Sequence, residues 1–153
     1  MTEGYHFVMV AIQEQIARTV GALFIRPDGK VLLGLRAPAK KVWPNHWDTI
    51  GGRVEDGESL EEALIREARE EVGVTPVEFR LIATVRERRP DIYGDALHHV
   101  YAVTRWQGGE PANVCDEHTE LKWFGIEDML QLTNIVDADY PRFVRQAMTE
   151  KTT

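Results

Sequence analysis

The chain has 153 residues, of which 43% are hydrophobic and 28% charged. That suits one globular domain spanning residues 1–153 with a core of its own. With 25 acidic against 18 basic residues the formal net charge is −7, so the basic footprint of a long-nucleic-acid binder is missing, while a divalent cation can still bring a small phosphorylated ligand to such a surface.

Cys115 is the single cysteine, which leaves no intrachain disulfide and argues against a thiolate metal cluster. The N-terminus has no basic n-region and no apolar run reaches membrane-span length, so no membrane partner is expected and the cytoplasm is the expected location.

Taken in chain order, Tyr5–Ile12 (YHFVMVAI) reads as a strand or extended arm and is a candidate homodimer interface. Gln15–Arg26 is β-rich; the turn signal PDGK (Pro27–Lys30) and the run VLLGLR follow, which predicts a hairpin. Ala37–Gly52, rich in Pro, Asn and Gly, predicts a surface loop. Its tryptophans, Trp43 and Trp47, either anchor that loop on the core or offer an aromatic wall to a flat ligand. Ser59–Glu71 is the clearest helix, with capping-box spacing at Ser59 and Glu62 and a stop at Gly73. Strands are expected at Phe79–Glu87, Leu97–Thr104 and Glu120–Phe124, a turn at Gln107–Glu110, and helices over GIEDMLQL and Asp139–Thr149. Separated hairpins with few helices predict an α/β sandwich around a mixed β-sheet rather than a doubly wound parallel sheet.

The helix carries an unusual load of carboxylates. At about 100° per residue, with Leu60 at zero, Glu67 falls near 340°, Glu71 near 20° and Glu70 near 280°, an arc of about 100°. Leu64, Ala68 and Val72 run alongside, so the glutamates border the apolar stripe rather than occupy the solvated face. Like charges four residues apart repel. Arg66 and Arg69 offset part of this in a purely structural reading; in a functional one, a hard divalent cation does so, because clustered carboxylate oxygens suit Mg²⁺ or Mn²⁺. Gly51, Gly52 and Gly57 frame the helix with backbone that can approach closely or turn sharply.

The stretch Gly52–Val74 resembles the Nudix box: Gly52, Glu58, Arg66, Glu67, Glu70, Glu71, Gly73 and Val74 stand at its positions, with Ala68 a small member of its aliphatic class. The resemblance implies a Nudix-type α/β/α sandwich and Mg²⁺- or Mn²⁺-dependent hydrolysis of a pyrophosphate bond by water. It implies metal ligands at Glu67, Glu70, Glu71 and the Gly51 carbonyl, with Glu58 assisting the cluster. Arg66 is then the residue that holds a glutamate by salt bridging.

A further base or ligand from a late loop is also implied; NVCDEHTEL offers Asp116, Glu117, His118 and Glu120, with Glu117 favoured and Glu120 next. His98 and His99 lie on an alternating strand, so at least one should face inward. The tail from Gly108 to Leu130 is similar, more loosely, to relatives that clear oxidised nucleotides such as 8-oxo-dGTP. A nucleoside triphosphate yielding monophosphate and pyrophosphate is therefore the leading substrate class. Nucleotide-sugar or ADP-ribose hydrolysis and non-catalytic nucleotide binding are the alternatives. Trp43, Trp47 and Tyr93, with Trp123 and Phe124, are the candidate base contacts, and Asn113 and Asn134 the candidate readers of a base edge.

Overall fold

A computed structural model describes residues 16–150. Four strands form one mixed sheet in the order β4-β1-β6-β5: β1 (Ala17–Phe24), β4 (Ile50–Arg53), β5 (Thr75–Arg86) and β6 (Ala96–Gln107). Within it β1 runs parallel to β6 and antiparallel to β4, and β5 pairs antiparallel with β6. A second, antiparallel sheet has the order β3-β2-β7, from β2 (Val31–Arg36), β3 (Trp47–Asp48) and β7 (His118–Phe124). The helices are α1 (Leu60–Val72), a single turn α2 (Pro90–Tyr93), α3 (Ile126–Leu130) and α4 (Tyr140–Glu150).

Strand alternation sorts the core into two layers. Val20, Ala22 and Phe24 of β1, with Tyr101 and Val103 of β6, pack with Ala63, Leu64, Ala68 and Val72 of α1. Leu23 of β1, with Val100 and Ala102 of β6, packs the other way, with Met129 of α3 and Tyr140, Phe143, Val144 and Ala147 of α4. Helices therefore cover both sides of the strands, as an α/β/α sandwich requires.

Two expectations change. The segments either side of PDGK do not form a continuous hairpin: only Ile25 and Val31 bridge, and the strands then part into different sheets. Val31 and Leu33 serve one core layer and Leu32 the other, so β2 stays with β7, where its register runs from Val31–Phe124 to Arg36–His118. The expected loop Ala37–Gly52 ends in strand, because Ile50 is buried and pairs with Ala22. Gly51 is the residue that lets β4 lie there: a Cβ at this position would run into the Val20 carbonyl oxygen. The Tyr5–Ile12 run, and with it the homodimer interface suggested there, lies outside the described residues.

α1 matches its expected bounds for local reasons. The Ser59 side chain accepts from the Glu62 amide, and the Glu62 carboxylate accepts from the Ser59 amide. Gly73, at φ 71°, closes the last turn by donating its amide to the Arg69 carbonyl. No helix among the described residues is long and apolar enough to cross a membrane.

Candidate active site

The glutamates of α1 are graded by burial. Glu71 has a side chain 4% exposed, Glu67 14% and Glu70 58%. The predicted arc is therefore tilted: Glu71 is buried with Ala63, Leu64, Ala68 and Val72 of the apolar stripe, while Glu70 sits at its wet edge.

Arg66 hydrogen-bonds three carboxylates and lies 3.8 Å from a fourth, that of Glu55. Its Nε and Nη2 donate to the two oxygens of Glu58 at 2.7 and 3.0 Å, a bidentate pair. Nη1 donates to Glu67 Oε1 at 2.8 Å and to Glu70 Oε2 at 3.2 Å, and Nη2 also donates to the Arg53 carbonyl. The Arg66 contact holds Glu58 down to about 2, with the Glu55 amide adding to it. Burial pushes Glu67 up against the opposing pull of Arg66.

Glu71 receives no such help. Burial, and then the charge of Glu67, push it well above the ordinary carboxylate range. His118 Nε2 lies 2.9 Å from Glu71 Oε1, whereas Glu71 Oε2 and His118 Nδ1 are buried without a hydrogen-bond partner. Burial holds His118 below its ordinary value. The imidazole fits only because residue 34 is glycine: a Cβ there would come within 2.5 Å of Nδ1. Cys115 stands with Glu71 and His118 in a group whose ligand atoms all lie within 4.8 Å of one another.

This arrangement fits a divalent cation. A buried carboxylate with an orphaned oxygen, repelled by a second carboxylate, is costly unless positive charge joins it. Gly52 leaves open the ground beside Glu67, since a Cβ there would fall 2.6 Å from Glu67 Oε1.

Beside these glycines opens a cleft of about 310 Å³, lined by Gly51, Gly52 and Arg53, by Asp48 and Thr49, by Arg36 and Lys40, and by Trp43, Tyr93, Glu87, His98 and Glu117. A larger hollow of about 650 Å³ lies against β5, β6 and α4, lined by residues including Phe79, Thr104 and Met148. Neither is lined by the clustered glutamates, but the smaller cleft adjoins them through Gly52, which abuts Glu67.

The other sequence candidates divide sharply. Trp43 and Tyr93 line the cleft with ring centroids 5.0 Å apart. Trp47 does not: it is buried in the core, 4.9 Å edge-on to Phe124. Asn113 is spent on the late loop, donating to the His118 carbonyl, and Asn134 on the tryptophan loop, donating to the Asn45 carbonyl. Trp123 packs in the core layer beneath α1, stacked on Trp106. Glu117 faces the cleft with its carboxylate on Lys40, and the contact with Glu71 is made by His118 instead. His99 is buried, and His98 half-buried at the cleft. Gly34 was the overlooked signal for His118, since a glycine inside a strand often marks a close approach.

The sequence profile of the NUDIX domain matches residues 15–146. The chain is 35% identical over 123 residues to a CTP pyrophosphohydrolase of Escherichia coli (strain K12), covering 80% of this chain and 85% of that protein. It is likewise 35% identical over 134 residues to an isopentenyl-diphosphate Delta-isomerase of Citrobacter koseri, covering 81% and 71% of the two chains. A MutT NUDIX hydrolase from Burkholderia pseudomallei superposes with a TM-score of 0.73 at 28% identity, covering 86% of this chain and 98% of that one. A family profile matched over most of the chain, on a sandwich that presents the glutamate helix, places this chain in the NUDIX family, as a Nudix hydrolase that cleaves a pyrophosphate bond in a nucleotide.

Proposed function

We propose that the chain hydrolyses a nucleoside triphosphate to the monophosphate and pyrophosphate, with Mg²⁺ or Mn²⁺ as cofactor. The observation that carries this reading is the cleft itself, lined by Gly51 and Gly52, of which Gly52 abuts the Glu67 carboxylate of α1, and by the aromatic rings of Trp43 and Tyr93. At about 310 Å³ it stands at the small end of small-molecule sites, roughly 300–1,000 Å³. That supports a substrate with one nucleoside and a phosphate tail over one with two bulky halves. The similarity to a CTP pyrophosphohydrolase points the same way.

Glu67, Glu70, Glu71 and the Gly51 carbonyl would hold the cation. When bound, it supplies neutralisation of the phosphate charge and a more acidic water. Arg66 fixes the Glu67 and Glu70 carboxylates and orients the cluster through Glu58, so little reorganisation accompanies reaction. Water attacks a phosphorus, a new P–O bond forms, the bridging P–O bond breaks, and pyrophosphate leaves. The water proton passes to an ionised carboxylate of the cluster. Arg36, Lys40 and Arg53 line the cleft where phosphates would lie, with the charge of Arg36 partly offset by Asp48 and that of Lys40 by Glu117.

The test is a panel of common and oxidised nucleoside triphosphates, ADP-ribose and GDP-sugars with Mg²⁺, products separated by chromatography. Monophosphate plus pyrophosphate from a triphosphate supports the reading; turnover confined to ADP-ribose or nucleotide sugars, giving sugar phosphate and nucleoside monophosphate, overturns it. Cys115 beside Glu71 and the similarity to an isomerase favour a second reading, double-bond isomerisation of a homoallylic to an allylic diphosphate. Unchanged isopentenyl diphosphate after the same incubation removes it.

A further inference from the structure

We propose that Glu87 is a positioning residue for the nucleoside end of the substrate: it sets the Trp43 indole, with the Tyr93 ring beside it, as the wall on which a planar base stacks. This rests on the nucleotide reading above.

Glu87 follows the last residue of β5 and is 5% exposed. Its Oε1 lies 3.2 Å from Trp43 Nε1 and 3.1 Å from His98 Nε2. Its Oε2 accepts from Trp43 Nε1 at 3.1 Å and from the Arg89 amide at 2.9 Å. A carboxylate oxygen accepts about two hydrogen bonds, so both oxygens are committed and none is left for a ligand. Glu87 acts on the substrate only through the groups it holds.

Those groups come from three separate parts of the chain. Trp43 belongs to the loop between β2 and β3, His98 to β6, and the Arg89 amide opens the turn α2 that carries Tyr93. His98 is fixed from behind, with Nδ1 2.6 Å from Thr19 Oγ1 of β1. Burial alone would raise Glu87, yet the Arg89 amide, His98 and Trp43 together keep it below the ordinary carboxylate range. It remains an anion, and so an acceptor.

Trp43 also has φ 47°, in the left-handed region that a bulky side chain rarely enters. A conformation of that kind persists where surrounding contacts hold it, and here the indole N–H on Glu87 and the His46 ring, 5.0 Å away and near perpendicular, do so. A tryptophan needed only to anchor the loop would be buried, as Trp47 is. Trp43 is half-buried, tilted 38° to Tyr93, and both rings line the cleft that also contains Gly51 and Gly52. Every base has a π face, so such a wall takes bases broadly and contributes binding rather than bond cleavage.

The experiment compares Glu87→Gln and Trp43→Ala with the wild type in steady-state hydrolysis of CTP, and in inhibition by magnesium tripolyphosphate, which has phosphates but no base. Glutamine keeps the volume but turns an N–H donor toward Trp43 or the Arg89 amide. The expected result is a KM raised about tenfold in both variants, kcat within about twofold, and a tripolyphosphate inhibition constant that does not move. A fall in kcat at constant KM, or a tripolyphosphate constant rising in step with KM, overturns the proposal. Should Glu87→Gln fail to fold, nucleotide quenching of tryptophan fluorescence decides: quenching present in the wild type and lost in Trp43→Phe supports the wall, and quenching retained overturns it. Fluorescence quenching at Trp43 without any turnover would leave the wall standing and refute the hydrolysis reading alone.

Discussion

The glutamate cluster and the aromatic end of the neighbouring cleft are built in different ways. The cluster is local: Glu58, Arg66, Glu67, Glu70 and Glu71 fall within fourteen consecutive positions, and one helix with its preceding turn presents them. The aromatic end joins Trp43, Glu87, Tyr93 and His98, from a loop, a strand end, a single helical turn and a second strand. In the proposed reading the chemistry sits on one local unit, whereas the grip on the nucleoside depends on how distant segments meet. Changes at the cluster should therefore act on turnover, and changes at the aromatic end on affinity.

The largest effect expected is at Glu71. Replacing it with Gln removes a charge that burial disfavours and an oxygen meant for the cation, so kcat should fall by at least about a hundredfold. In the cation-free protein the same substitution should hold or raise the melting temperature. Near-normal turnover would contradict the role of the cluster, and a collapsed fold would contradict the account of its burial. Glu70→Gln should also lose turnover by orders of magnitude while leaving the fold largely intact, since Glu70 is more than half exposed.

Arg66→Met should come next. It leaves Glu58, Glu67 and Glu70 without their shared partner, and kcat should drop about ten- to a hundredfold, partly restored by higher Mn²⁺. A KM effect with unchanged kcat would show that Arg66 instead contacts substrate.

The two neighbouring glycines separate fold from function. Gly51→Ala drives a Cβ into the Val20 carbonyl and should destabilise by at least about 2 kcal/mol, read by urea unfolding. Gly52→Ala meets only the flexible end of Glu67, so the fold should survive with reduced activity. Equal loss of stability in both would remove the distinction.

Smaller and subtler is the pH dependence of cation-free stability. Glu71 has its folded value raised, so its contribution is full below the ordinary value of about 4.5 and is lost as pH rises toward the folded value. His118 is depressed, so its contribution is full above about 6.5 and is lost as pH falls. Glu58 is depressed too: its contribution is present above about 4.5 and lost as pH falls through about 2. Melting temperatures of cation-free protein should therefore decline between about pH 7 and pH 9, and Glu71→Gln or added Mn²⁺ should flatten that decline. A profile unaffected by either would contradict the burial of an uncompensated Glu71.

The same local-versus-distant contrast explains what was legible in the sequence. Capping residues, helical period and the spacing of Arg66 and the glutamates all lie within a few turns, so α1 and its charged face follow from the residues directly. The parting of β1 from β2 does not, because it depends on which core layers Leu32 and Leu33 fill and on pairing with β7, far along the chain. Trp43 and Trp47 are equivalent by composition; only the contact of Trp47 with Phe124 and of Trp43 with Glu87 tells core from cleft. Glu117 and His118 are likewise adjacent, and strand alternation at the start of β7, together with the space at Gly34, turns the imidazole rather than the carboxylate to Glu71.

The most direct measurement of the central claim is a ³¹P NMR time course of the wild-type protein with CTP and Mg²⁺. Equal growth of nucleoside monophosphate and pyrophosphate signals is expected, abolished in Glu71→Gln. Diphosphate with orthophosphate, or the same products at the same rate from Glu71→Gln, would contradict it.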